Sequence, residues 1–102
     1  MDRQTIIEQA DSHKINSVNA RNEGRLWDAL FEECMYFHFD RQARGTPKNE
    51  LPIQAMLTFG VILLLMRFPP QLKKEATAKV IEWSIESGDE EKLREILATY
   101  KK

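Results

Sequence analysis

The sequence predicts an all-α protein: a compact bundle of four to five helices around a central hydrophobic helix at about residues 51–68, closed by a C-terminal antiparallel helical hairpin. Three observations predict it. Apolar residues recur at spacings of three and four through most of the chain. Gly45, Thr46-Pro47, Pro69-Pro70 and Gly88 punctuate those periodic stretches. The run Leu51 to Phe68, LPIQAMLTFGVILLLMRF, carries no charge before Arg67 although charged segments flank it.

At 102 residues the chain is read as one helical domain, with a short N-terminal helix and loop over 1–22 and the main bundle over 23–102. Thr5-Ile6-Ile7-Glu8 has the form of a capping box, in which hydroxyl and carboxylate satisfy the free amides of a helix start. Residues 12–22 are rich in Ser and Asn, whose side chains compete for backbone hydrogen bonds, so they read as a frayed helix or loop anchored by Ile15 and Val18.

From about Glu23 to Arg44, Leu26, Leu30, Cys34 and Phe37 form a helical stripe widened by Trp27, Phe31 and His38. Gly45 ends it and Thr46 to Asn49 form a turn. The alternation of Met35, Phe37 and Phe39 with Tyr36 and His38 also fits a strand, the weaker of the two readings.

Glu50-Leu51-Pro52 opens the hydrophobic helix with proline in its first turn, and Pro69-Pro70 closes it. Ile53, Met56, Leu57, Gly60 and Leu64 share one face; Ala55, Phe59, Ile62 and Met66 share another that is equally apolar. A helix apolar all round belongs inside a bundle, so the stripes of the second, fourth and fifth helices are expected to cover it, with a second subunit as the other candidate cover. Membrane insertion is the weaker expectation. The uncharged stretch of 16 residues, Leu51 to Met66, falls short of the roughly 20 that a span needs.

The next helix, Gln71 to Ser87, has Leu72, Ala76, Val80 and Trp83 as its stripe, widened by Ala78, Ile81 and Ile85. Ser87-Gly88-Asp89 is a turn with a glycine stop and an aspartate cap. Glu90 to about Tyr100 then forms the last helix, with Leu93, Ile96, Leu97 and Tyr100 inward.

Composition narrows the function classes. Fifteen Lys and Arg against sixteen Asp and Glu give a net charge of −1, without the basic excess that phosphate contacts demand, which weighs against nucleic acid. The lone Cys34 allows no internal disulfide, and the N-terminus has no apolar signal stretch; both favour a reducing cytoplasm. There is no glycine-rich phosphate loop, Gly-x-Ser-x-Gly elbow, His-Glu-x-x-His or Cys-x-x-Cys. The chain is therefore read as non-enzymatic, with no catalytic, cofactor-binding or metal-binding residue assigned and no cofactor.

Three constellations each admit a simpler role. Cys34 and His38, four apart, could share a metal or thiol site with His13, Glu33 or Asp40, but Cys34 also continues an apolar stripe, where free cysteine packs as a small hydrophobe. Arg41, Arg44 and Lys48 form a basic spot, and arginines near a helix C-terminus commonly serve its carbonyls. The terminal hairpin resembles a helix-turn-helix only in outline, since Asp89-Glu90-Glu91 would repel phosphate where a recognition helix reads bases.

Met35, Tyr36 and Phe39 are the residues least explained by helical stripes and become, with Arg41, Arg44 and the close-approach residue Gly60, the candidate partner-binding set. The expected function is that of a helical protein–protein interaction module, an adaptor, assembly factor or inhibitor, binding another protein or itself as a homodimer. The alternative is a nucleic-acid-associated regulatory domain using Arg41, Arg44, Lys48, Lys73, Lys74 and Lys79.

Overall fold

A computed structural model describes residues 2–101 and is all-helical. Five helices follow in order: α1 Arg3–Asn22, α2 Leu26–Arg44, α3 Leu51–Leu65 after a single 3-10 turn at Lys48–Glu50, α4 Pro70–Glu86 and α5 Glu90–Ala98. No strand occurs among the described residues, and the stretch Met35 to Phe39 lies inside α2. The radius of gyration, 12.7 Å, is that of a compact chain of this length.

Helix α1 differs from its sequence expectation at both its cap and its length. Asp2, not Thr5, caps it: the Asp2 carboxylate accepts from the Thr5 amide at 2.8 Å. The helix then runs unbroken through the Ser- and Asn-rich stretch expected to fray. Tertiary contact overrides propensity there, because Ala10, Ser17 and Ala20 lie buried along α2 and the Ser17 hydroxyl donates to Glu33 at 2.6 Å. The expected anchor Ile15 points to solvent.

Gly24, in the left-handed region at φ 78°, reverses the chain so that α2 returns along α1. α2 packs against α1, α3 and α5, and supplies Ala29, Leu30, Cys34, Met35 and Phe37 to the core. Leu51, Ala55, Phe59, Ile62 and Leu63 of α3 meet it, with Phe37 and Phe59 edge to face at 6.4 Å. Val80 and Trp83 of α4 and Leu93 and Leu97 of α5 complete the cluster. Trp27, Phe68 and Tyr100 form a second aromatic run at its margin, with successive ring centroids 5.8 and 6.1 Å apart.

The hydrophobic helix α3 also differs from its sequence expectation. It stops at Leu65, because Arg67 adopts φ 56° and the Phe68 amide turns back to the Leu63 carbonyl. It is also covered on one side only. The buried face is the one with Ala55, Phe59 and Ile62, while the face of Ile53, Leu57 and Leu64 is left outside. Two amphipathic neighbours and a short last helix cannot sheathe a helix that is apolar all round. The stripe expected for α4 is trimmed in the same way: Leu72, Ala78 and Ile85 are exposed, whereas Ala76, Val80 and Trp83 are buried.

Candidate functional site

The outer face of α3 is the largest feature that the fold leaves unfinished. Ile53, Leu57, Val61, Leu64 and Leu65 expose between 50% and 77% of their surfaces. Their spacing places them on one side of the helix. Together they present about 600 Å² of aliphatic surface, the upper end of what the largest patch on a monomeric protein amounts to. No charged residue interrupts the patch; Lys48 and Glu50 stand before it and Arg67 after it, all exposed. The stretch Lys48–Leu65 has the length and composition of a membrane-crossing helix, with 28% of it buried in the fold.

Near the middle of this face the helix bends. Phe59 has non-helical angles, φ −125° and ψ 15°. Thr58 donates its hydroxyl to the Gln54 carbonyl at 2.7 Å, a back-bond that competes with the helix ladder, and Gly60 follows at once. A Cβ built on Gly60 would meet nothing within 4 Å, so the glycine leaves an open notch beside Val61.

The other members of the expected partner-binding set are scattered and largely occupied. Met35 is buried in the core. Tyr36 and Phe39 are half-buried under α1, in the stretch that the sequence alone reads as a frayed helix or loop. The Lys14 ammonium lies 5.1 Å from the Tyr36 ring centroid, and the His13 ring stacks on Phe39 at 5.7 Å and 5°. Burial and the nearby Asp40 carboxylate raise the Tyr36 phenol above its ordinary range. Arg41 donates to the Ser84 hydroxyl at 2.9 Å, and Arg44 pairs with Asp40 at 3.0 Å. Only Gly60 belongs to the α3 face.

Cys34 and His38 do not form a reactive pair. Complete burial pushes the Cys34 thiol far above the thiolate range. Both His38 nitrogens are engaged elsewhere: Nδ1 lies 2.9 Å from the Ser84 Oγ, and the Gln42 amide nitrogen lies 3.2 Å from Nε2. Burial, then the adjacent Arg41 charge, push the His38 imidazole down to about 4, so the ring is neutral. His13 instead meets Glu32, Nδ1 to Oε2 at 2.5 Å. Among the described residues no three His, Cys, Asp or Glu side chains gather as a metal site.

Between α1 and α2, Glu33 is buried, accepting from Lys14 at 2.9 Å and Ser17 at 2.6 Å through Oε1, while its Oε2 has no partner among the described residues. A shallow cleft of about 330 Å³ opens near the α1–α2 turn, lined by Asn16, Asn19, Glu23, Arg25, Asp28 and Arg94 among others. Its charges answer one another: Arg25 bridges Glu23 and Asp28, and the Arg94 guanidinium covers the Phe31 ring at 4.2 Å. The chain matches no family model, no curated protein and no solved structure.

Proposed function

We propose that the protein is a helical interaction module, an adaptor or assembly factor, that works by docking the outer face of α3 onto protein. The observation that carries this reading is the contiguous exposure of Ile53, Leu57, Val61, Leu64 and Leu65. Apolar patches of this size mark interaction surfaces, because leaving them in water forfeits about 25 cal/mol for each Å². The basic residues named for a nucleic-acid reading lend it less support, since Arg41 and Arg44 are committed to Ser84 and Asp40.

The test replaces Leu57 and Leu64 together by glutamate. Both side chains lie outside the core, so circular dichroism should show unchanged helix content. Wild-type and double variant are then purified from the native cell under identical conditions. Loss of co-purifying protein, or of self-association, in the variant is expected; identical assemblies from both would refute the reading.

A further inference from the structure

We infer that the occupant of the α3 face is a second copy of this chain, the two helices packing antiparallel about a two-fold axis that passes beside Gly60 and Val61. The inference rests on the reading of that face as a docking surface and specifies what docks. Three features of the face lead to it.

The first is area. At about 600 Å² from each copy, pairing would remove about 1,200 Å² from water, the lower bound of a specific interface. The same patch pressed against a flat, dissimilar surface offers that surface little to recognise by polarity, since the exposed side chains from Ile53 to Leu65 on this face are aliphatic apart from the thioether of Met56. An apolar face of this kind is matched in chemistry by a second copy of itself.

The second is shape. With the axis between residues 60 and 61, Leu57 of each copy comes level with Leu64 of the other, and Val61 comes level with the partner copy's Gly60. Without a Cβ at Gly60 the two backbones can approach closely at this level, where the two Val61 side chains meet across the axis. The bend at Phe59 turns the face at this same place.

The third is charge. Glu50, with Lys48, stands at one end of the stripe and Arg67 at the other. An antiparallel pair sets each Glu50 towards the other copy's Arg67, with Lys48 offsetting part of that attraction, whereas a parallel pair sets Arg67 against Arg67 and Glu50 against Glu50.

Sedimentation velocity between about 1 and about 100 μM should show a reversible dimer, with Leu57→Glu raising the dissociation constant roughly a hundredfold at unchanged helix content. Gly60→Leu keeps the face apolar, and its Cβ has nothing within 4 Å in the monomer, yet it fills the notch; it should weaken the dimer at least about tenfold. Cysteine trapping reads the orientation, and buried Cys34 does not compete. Val61→Cys should oxidise to a disulfide-linked dimer. Ile53→Cys should not, because antiparallel packing holds its two copies about 20 Å apart at 1.5 Å per residue.

A tighter dimer in Gly60→Leu, or self-linking of Ile53→Cys, would overturn the arrangement. A wild-type monomer at every concentration would overturn self-pairing altogether. If Leu57→Glu then still abolishes capture of another protein, the docking reading survives with a different occupant. If it abolishes only binding to phospholipid vesicles, the face serves a membrane and both readings fail.

Discussion

Gly88 lies directly against the imidazole of His38: a Cβ added to the glycine would overlap Nε2, Cε1 and Cδ2 of the ring. The contact locks the α4–α5 turn onto α2, and it lies beside two others that do the same, the His38–Ser84 hydrogen bond and the His38–Trp83 ring contact at 5.2 Å. Trp83 in turn donates its indole N–H to the Asp89 carbonyl at 2.7 Å, at the cap of α5.

Gly88→Ala should therefore cost more than an ordinary turn substitution. The residue sits at φ 66°, and left-handed backbone plus ring overlap amount to roughly 2–4 kcal/mol together. Urea denaturation monitored by helix signal measures it. Gly45→Ala, at φ 64° with open space around its Cβ, should show only the backbone part.

Acid should reveal His38 before it reveals the carboxylates. Its folded-state value is held at about 4 against 6.5 when unfolded. Between those pH values the unfolded chain binds the extra proton, so stability is complete above about 6.5 and falls as pH drops towards 4, by up to about 3 kcal/mol. Denaturation curves at stepped pH should show this slope in the wild-type and its loss in His38→Gln.

Glu33 and Ser17 should prove coupled. Ser17→Ala removes a donor from a buried carboxylate whose other oxygen has no partner among the described residues, and should cost roughly 1–3 kcal/mol. Glu33→Ala, which strands the buried hydroxyl and opens space between α1 and α2, should cost more. A double-mutant cycle read by chemical denaturation should give a non-additive sum.

The two sides of α3 should respond oppositely to change. Phe59→Ala, on the covered side, should cost about 3–5 kcal/mol by emptying a site in the core. Leu57→Ala, two residues earlier and 77% exposed, should move the stability of the isolated monomer by no more than about 0.5 kcal/mol. Thermal melts at the lowest workable concentration separate the two.

Cys34 should resist thiol reagents in the native state and react at the rate at which the chain opens, since thiolate, not thiol, attacks. Labelling kinetics followed across a denaturant series give the check.

Helix order and most boundaries were legible in the chain because they are written locally. Gly45 and Gly88 sit where positive φ ends a helix, Asp89 caps α5, and proline opens both α3 and α4. What could not be read locally was whatever depends on a distant partner. Ser17 looks like a helix loosener until Glu33 is opposite it. Tyr36 and Phe39 look exposed as long as α1 is thought to fray, and are covered once it continues. The two apolar faces of α3 were separable by spacing alone. Their assignment as inner and outer was not, because hydrophobicity is equal on both and only the neighbours' reach decides.

That equality has a consequence for how this sequence can drift. The packing of α3 against α2 constrains Leu51, Ala55, Phe59, Ile62 and Leu63. Nothing in the monomer constrains Ile53, Leu57, Val61 or Leu64 to stay greasy, and random substitution would turn such positions polar. In diverged copies of this chain, the inner set therefore keeps time with folding, while the outer set records whether something outside the monomer has been watching.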